Sequence, residues 1–136
     1  MLETKSNTMS QAGAYLASST PRVLLIDDDI HVSKALARVL RQFCEVETVL
    51  SVDEAEQRLA SGSEFTLILC DLLLPQRGGL ELYRGLVATN SKMARKLAFM
   101  TGLGDDAEEA EEFREVPCLG KPLDMARVRA LLDAFS

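Results

Sequence analysis

From residue 22 onward, short apolar runs alternate with segments in which apolar residues recur every three or four positions. The short runs predict strands, and the periodic segments predict helices that pack one face on a sheet. The predicted strands are Val23–Ile26, Val46–Leu50, Thr66–Cys70, Lys96–Met100 and Val116–Leu119. Five strand–helix units in succession predict a parallel sheet with helices on both faces.

Two of these runs indicate where their strands lie in the sheet. The third run is apolar throughout from Leu67 to Cys70, which is typical of a central strand covered on both faces. Pro117 has no backbone N–H to donate to a neighbouring strand, so the fifth run belongs at an edge. We therefore predict a five-stranded, doubly wound α/β sheet in the strand order 2-1-3-4-5.

The first helix carries an apolar stripe, which we expect to face the sheet. The stripe consists of Val32, Ala35, Leu36, Val39, Leu40 and Phe43. His31 falls outside this stripe, and we predict that it is an ordinary surface residue. Ser51 and Glu54 have the spacing of a capping box and predict the start of the second helix.

Length and composition fit one globular domain. The chain has 136 residues, of which 47% are hydrophobic and 26% charged. No apolar run approaches the ~18 residues that span a bilayer, so we expect no membrane insertion by this chain. The net charge of −6 argues against direct binding to nucleic acid. Three cysteines without metal-ligand spacing favour free thiols in a reducing compartment, which predicts a cytoplasmic location.

The first 20 residues differ from the rest of the chain. They mix Ser and Thr with small residues, and no basic stretch precedes an apolar run as in a secretory signal. Pro21 and Arg22 mark the point at which regular hydrophobic patterning begins. We predict a flexible tail or linker over residues 1–20 and one folded domain over residues 21–136.

Polar and charged residues directly follow four of the predicted strands. They are the run Asp27-Asp28-Asp29, then Asp71, Thr101 and Lys121. Because the carboxyl ends of parallel strands form the ligand-binding edge of an open α/β sheet, we expect these side chains to meet there. Crowded carboxylates repel one another and recruit a cation, while a hydroxyl and an ammonium can bind a phosphoryl group. The sequence therefore predicts a site for a divalent cation and a phosphoryl group.

Together with their flanking residues, these segments resemble the receiver domains of two-component response regulators. The resemblance covers about residues 22–136. It rests on four motifs: Val-Leu-Leu-Ile-Asp27-Asp28-Asp29; Leu-Ile-Leu-Cys-Asp71-Leu-Leu-Leu-Pro75 with Gly79-Leu-Glu-Leu; Phe-Met-Thr101-Gly102; and Gly-Lys121-Pro122. It implies the flavodoxin-like (βα)5 receiver fold and a cis peptide bond between Lys121 and Pro122.

The resemblance implies that Asp71 is a phosphoacceptor, which attacks the phosphorus of a phosphohistidine in a reaction that needs Mg²⁺. Asp28 and Asp71 suit Mg²⁺ as direct ligands because this ion prefers carboxylate oxygens. The family adds the backbone carbonyl of Leu73 as a third ligand and places Asp27 behind a bound water. Mn²⁺ is an alternative ion.

The remaining site residues follow from the same resemblance. The ammonium of Lys121 and the hydroxyl of Thr101 each suit a phosphoryl oxygen. The donor would be a histidine kinase or a histidine phosphotransfer protein, and the chain would signal through a conformational change. We expect a phosphoacceptor rather than an enzyme that turns over a separate substrate.

The chain departs from the family pattern at the predicted switch. Relatives usually carry an aromatic residue three positions before the lysine, where this chain has Cys118. The switch position formed by Thr101 and Cys118 therefore lacks the usual aromatic rotamer change. Leu73 and Leu103 are apolar where many relatives have polar groups that orient water. From this we predict slow hydrolysis of the aspartyl phosphate.

The predicted signalling surface combines the fourth helix, the fifth strand and the fifth helix. Its acidic side is predicted to lie near Arg127 and Arg129, and this complementarity is a basis for a symmetric homodimer. The acidic residues are Glu108, Glu109, Glu111 and Glu112. Residues 113–122 and the Ser/Thr-rich leader look similar to receivers appended to hybrid sensor histidine kinases, and a stand-alone regulator is the alternative.

Two other functions compete with phosphotransfer. A degenerate receiver would bind partners without being phosphorylated. A phosphohydrolase of the haloacid dehalogenase type uses two aspartates one residue apart, as in Asp27-x-Asp29. That second alternative requires Thr or Val where this chain has His31, and it leaves Asp71 without a role.

Overall fold

The structure, a computed structural model, describes residues 20–102 and 115–136. Strands and helices alternate in the order β1 (Arg22–Ile26), α1 (Ile30–Leu40), β2 (Glu45–Val49), α2 (Val52–Ala60), β3 (Leu67–Asp71), α3 (Gly79–Thr89), α4 (Ser91–Ala94), β4 (Leu97–Thr101), β5 (Cys118–Gly120) and α5 (Met125–Phe135). Almost all of the predicted tail and all four acidic residues of the predicted signalling surface lie outside the described residues. No helix within the described ranges is long and apolar enough to cross a membrane.

The five strands form one parallel sheet in the order β2-β1-β3-β4-β5, which confirms the predicted order. β1 and β3 lie side by side, with Val23 opposite Leu67 and Ile26 opposite Cys70. β5 is an edge strand, as Pro117 predicts. The carbonyl of Pro117 accepts a hydrogen bond of 2.8 Å from the N–H of Phe99 in β4.

Helices cover both faces of the sheet, and the strands divide their side chains between two cores. In β1, Leu24 and Ile26 join the core on one face, whereas Val23 and Leu25 join the core on the other. All four of these side chains have an exposed fraction of 0%. This two-sided burial explains why the central strands are apolar at successive positions rather than at alternate ones.

Side chains at their N-termini set where α1 and α2 begin. Oδ1 of Asp29 accepts hydrogen bonds from the N–H groups of His31 and Val32, which makes Asp29 the N-cap of α1. Oγ of Ser51 accepts from the N–H of Glu54, as the capping-box spacing predicts for α2. His31 is exposed, in agreement with its prediction as a surface residue.

The predicted face of α1 is partly wrong. The helix buries Ser33, Ala37 and Leu40 against the sheet, whereas Val32 and Val39 are 41% and 39% exposed. Small side chains at the first two of these positions let the helix lie close to the strands. The exposed half of the stripe instead lines an open groove of about 640 Å³ together with residues that follow β5.

The start of α3 lies against β4 because Gly79 has no side chain. A Cβ at Gly79 would lie 2.5 Å from Cε1 of Phe99, whose ring is buried. A larger residue would therefore displace either the ring or the helix. This contact fixes the far end of the loop that connects β3 to α3, which begins immediately after Asp71.

Candidate functional site

Three carboxylates meet at the carboxyl edge of the sheet. Asp27 and Asp28 directly follow β1, and Asp71 is the last residue of the neighbouring strand β3. One carboxylate oxygen from each residue lies within 4.8 Å of the others. Asp27 is buried, Asp28 is exposed and Asp71 is intermediate, so the cluster runs from the interior to the surface.

Lys121 reaches this cluster from the far side of β4, at the same carboxyl edge of the sheet. It follows β5, and its Nζ lies 3.0 Å from Oδ2 of Asp71 and 3.4 Å from Oδ2 of Asp27. Its peptide bond to Pro122 is cis, as the resemblance implies. Burial lowers the pKa of Lys121, but the hydrogen bond and charge of Asp71, together with Asp27, outweigh burial and raise that pKa above its usual range. The side chain is therefore an ammonium at neutral pH.

Backbone N–H groups fix the orientation of the two less exposed carboxylates. Oδ1 of Asp71 accepts a hydrogen bond of 3.1 Å from the N–H of Leu73, and Oδ1 of Asp27 accepts one of 2.9 Å from the N–H of Asp29. The other oxygen of each carboxylate is the one that Lys121 approaches. The turns after β1 and β3 thus hold these acids in place through their own backbones.

Thr101 is the last residue of β4, which lies between β3 and β5. It is 2% exposed, and its carbonyl accepts a hydrogen bond of 2.8 Å from the N–H of Lys121. A Cβ on Gly102 would meet no atom of the described residues within 4 Å. Cys118 pairs with Phe99 in the β4–β5 ladder and is half-buried against the core.

The site can hold a divalent cation on the chemistry of its donors. Carboxylate oxygens are hard ligands, and two ligands of an octahedral Mg²⁺ lie about 3 Å apart when cis and about 4 Å apart when trans. One carboxylate oxygen of each of Asp27, Asp28 and Asp71 lies within 4.8 Å of the other two, which is close to this spacing. Three acids beside one ammonium leave an excess of negative charge that a cation would neutralise.

Arg77 is a residue of this region that the sequence does not single out. It lies in the β3–α3 loop, and its guanidinium contacts both Asp53 and Glu56 of α2. Asp53 and Glu56 are three positions apart on one side of the helix, and this spacing is the one feature of the sequence that relates to the contact with Arg77. Which charge pairs with them depends on how the loop folds back, and the spacing along the chain does not reveal this.

Some predicted features cannot be placed. Leu103 and the acidic residues Glu108, Glu109, Glu111 and Glu112 lie outside the described residues. Their proposed partners Arg127 and Arg129 are exposed on α5. The guanidinium carbon of Arg129 lies 5.1 Å from the centre of the Phe43 ring.

Comparison with known proteins agrees with this architecture. Residues 23–133 match the family model of the response regulator receiver domain. Protein PetR of Rhodobacter capsulatus is 31% identical over 123 residues, covering 86% of this chain and 51% of PetR. A transcriptional regulatory protein CpxR homolog of Haemophilus influenzae is 28% identical over 118 residues, covering 82% of this chain and 50% of the relative. The chain thus spans about half the length of these relatives.

Solved structures show the same fold. A response regulator receiver protein from Pseudomonas putida superimposes with a TM-score of 0.72 at 24% identity, covering 85% of this chain and 97% of that structure. A putative response regulator from Chloroflexus aurantiacus gives a TM-score of 0.71 at 27% identity, covering 84% and 98%. The family match, the fold and the order of the strand-end motifs agree: the chain belongs to the response regulator receiver domain family.

Proposed function

We propose that this receiver domain accepts a phosphoryl group on Asp71 from a phosphohistidine donor. The observation that carries the proposal is the meeting of Asp71 with two further aspartates and Lys121 at one edge of the sheet. Asp71 is only partly buried, so a donor can reach its carboxylate, while its neighbours can hold the charges that the reaction creates.

The proposed ion is Mg²⁺, with Mn²⁺ as an alternative. Asp28 and Asp71 would be direct ligands, the backbone carbonyl of Leu73 a third, and Asp27 would act through a water. The bound ion would neutralise charge between the carboxylate and the incoming phosphoryl group. Asp28 suits direct binding because it is exposed, and Asp27 suits an indirect role because it is buried.

In the proposed reaction an oxygen of Asp71 forms a bond to phosphorus as the bond from phosphorus to the donor imidazole nitrogen breaks. The imidazole keeps the electron pair of that bond and takes a proton from solvent. Lys121, which pairs with Asp71 before transfer, then stabilises a phosphoryl oxygen, and Thr101 donates its hydroxyl to another. The product is an aspartyl phosphate, with no separate substrate turned over.

The signal would leave the site through Thr101 and the neighbouring strand that carries Cys118. Because Cys118 is small, we propose a rearrangement of the strand ends rather than an aromatic side-chain flip. The apolar, 61% exposed Leu73 supports slow hydrolysis of the product, because it does not orient water. A time course of phosphate release checks this, and loss of the phosphoryl group within seconds would contradict it.

The exposed side of α1 is a candidate docking surface for the donor, a histidine kinase or histidine phosphotransfer protein. Val32 and Val39 line a groove with Leu123 and Met125, and the groove extends to Lys121 at the phosphorylation site. A protein that delivers a phosphoryl group to Asp71 must cover the surface around this residue. The groove beside α1 is an apolar surface next to Asp71, so it suits such a partner.

The remaining partner proposals rest on family membership and on the sequence. We propose a cytoplasmic location, in accord with three free cysteines, and no direct binding to nucleic acid. A homodimer through β5, α5 and the acidic segment with Glu108, Glu109, Glu111 and Glu112 stays a proposal, as does the origin of the chain in a hybrid sensor kinase. We likewise propose that residues 1–20 are a tail or linker to the folded domain.

The structure disfavours the competing enzyme. A haloacid dehalogenase would direct Asp27 and Asp29 at one substrate, whereas here the Asp29 carboxylate caps α1 and Asp27 lies in the acidic cluster with Asp28. A degenerate receiver would not need the contact between Lys121 and Asp71.

Transfer of labelled phosphate from a phosphorylated histidine phosphotransfer domain tests the proposal. We expect label on the wild-type chain that hydroxylamine releases, as it does from an acyl phosphate, and none on Asp71→Asn. Equal labelling of the variant would overturn the assignment of the acceptor.

A further inference from the structure

Arg77 joins the loop after Asp71 to a different layer of the protein. Its Nη1 lies 2.7 Å from Oδ1 of Asp53 and 2.6 Å from Oε1 of Glu56, and its Nη2 lies 2.9 Å from Oε2 of Glu56. Both partners lie in the first half of α2. The paired contact with Glu56 is the two-pronged arrangement that gives an arginine a defined orientation.

These contacts hold the guanidinium in place although it is not buried. Its side chain is 39% exposed, and isolated ion pairs of this exposure contribute little to stability. The hydrogen bonds to Glu56 and Asp53 raise the pKa of Arg77 above its already high usual value. The arrangement is not an isolated pair: a bidentate contact with Glu56 and a third hydrogen bond to Asp53 fix the position of the loop that carries Arg77.

The loop that Arg77 holds is the one that carries the proposed metal ligand Leu73. At its start, the N–H of Leu73 bonds to Asp71, and at its end, the N–H of Gly78 bonds to Glu81 of α3. Between these anchors, residues 74–77 face residues 50–53 across a cavity of about 170 Å³. Asp28 forms part of the wall of the same cavity.

We propose that Arg77 is a positioning residue for the metal site. Its ion pairs with Asp53 and Glu56 hold the β3–α3 loop against α2, which keeps the backbone of that loop, with the Leu73 carbonyl, in a defined position. This inference rests on the proposed Mg²⁺ site and adds to it a residue that is not itself a ligand. Groups that orient ligands from behind affect metal affinity strongly even though they do not touch the ion.

Charge alone and the positioning role predict opposite changes in Mg²⁺ affinity when Arg77 is removed, which makes the proposal testable. Arg77 is a positive charge beside a cation site, so its removal should strengthen Mg²⁺ binding if charge alone matters. If the loop position matters, removal should weaken binding. Glu56→Gln breaks the same ion pair but removes a negative charge. If charge alone matters, Mg²⁺ affinity should rise in Arg77→Gln and fall in Glu56→Gln. If the loop position matters, Mg²⁺ affinity should fall in both variants.

The experiment is calorimetric titration of the purified chain with MgCl₂, without a phosphodonor. We expect Arg77→Gln and Glu56→Gln each to weaken Mg²⁺ binding by about tenfold. Arg77→Lys should fall between wild type and Arg77→Gln, because it keeps the charge and loses the two-pronged contact. Hydrogen exchange of residues 72–78 should accelerate in the two weakened variants.

Arg58→Gln is the matched control. Arg58 also lies on α2, and it pairs with Glu47 of β2, where its Nη2 is 2.9 Å from Oε1. Its loss removes the same charge and a similar ion pair but leaves the β3–α3 loop alone, so Mg²⁺ affinity should stay at the wild-type value. Unchanged or tighter binding by Arg77→Gln would overturn the positioning role. Absence of binding by the wild type would instead overturn the proposed metal site, and the inference with it.

Discussion

The ammonium of Lys121 lies 3.0 Å from Oδ2 of Asp71, although their strands are not neighbours in the sheet. β4 separates β3 from β5, so the lysine side chain extends past the end of β4, where Thr101 lies. In the proposed reaction, this ion pair would hold the carboxylate of Asp71 before transfer and would place a positive charge where a phosphoryl oxygen arrives. The same residue can thus serve both states of Asp71.

The Lys121 ion pairs should make stability depend on pH in the alkaline range. Because the pKa of Lys121 is raised in the folded protein, the contribution of its charge is complete below the unfolded pKa of about 10.4. It is lost as the pH rises through the higher folded pKa. In urea unfolding with EDTA, we expect the difference between wild type and Lys121→Met to be constant from neutral pH to pH ~9 and to shrink above pH ~10.4.

Lys34→Met controls for general effects of alkaline pH, since Lys34 is an exposed lysine on α1. Its difference from wild type should stay close to zero over the same range. A Lys121→Met difference that did not change with pH would show that the ion pairs with Asp71 and Asp27 do not stabilise the fold.

The three consecutive aspartates after β1 should differ in their effect on Mg²⁺. Asp28 lies in the carboxylate cluster, whereas Asp29 caps α1, a role that Asn also fills well. We expect Asp28→Asn to weaken Mg²⁺ binding by at least about tenfold and Asp29→Asn to change it little. Calorimetric titration measures both, and each variant loses one negative charge. Equal weakening in the two variants would indicate a general charge effect instead of ligation.

Gly79→Ala should destabilise the domain. The new Cβ would lie 2.5 Å from Cε1 of the buried Phe99, and overpacking of this kind costs about 1–3 kcal/mol. Gly85→Ala in the same helix is the control, because the nearest atom to its Cβ is a Glu56 carboxylate oxygen at 3.4 Å. That variant should gain up to about 1 kcal/mol of helix propensity. Urea unfolding reports both, and a Gly79→Ala variant as stable as wild type would contradict the close packing.

The exposed face of α1 should matter for transfer from a protein donor and not for transfer from a small one. We expect the double variant Val32→Gln, Val39→Gln to slow transfer from a phosphohistidine protein by about tenfold. The two valines are 41% and 39% exposed, so burying the exposed part of each would contribute about 0.7 kcal/mol. Phosphorylation by acetyl phosphate should be unchanged. Val87→Gln is the control, since Val87 is 51% exposed on α3. Equal slowing by the control would locate the docking surface elsewhere.

The sheet could be predicted from the sequence because burial on two faces leaves a strong pattern. A strand such as Leu67–Cys70 must be apolar at every position, and Pro117 excludes a central place for its own strand. The strand order in turn places the carboxyl ends side by side. The convergence of Asp27, Asp71 and Lys121 follows from that topology alone.

Side-chain direction was less predictable. The apolar stripe of α1 is wider than the surface it buries, so the pattern does not reveal that Ser33 and Ala37 contact the sheet while Val32 and Val39 do not. The run Asp27-Asp28-Asp29 likewise holds three chemically equal residues whose different places depend on the path of the turn after β1. The position of Arg77 is set by a contact between the β3–α3 loop and α2, and the sequence of neither segment alone predicts that contact.

The central claim is that Asp71 accepts a phosphoryl group in a reaction that needs a divalent cation. Intact-mass spectrometry after incubation with acetyl phosphate and MgCl₂ tests it most directly, with Asp71→Asn and an EDTA-treated wild type as controls. We predict one phosphoryl adduct on the wild type and none on either control. An adduct that persists on Asp71→Asn or in EDTA would contradict the claim, and so would a wild type that binds Mg²⁺ but gains no adduct from either acetyl phosphate or a phosphohistidine donor.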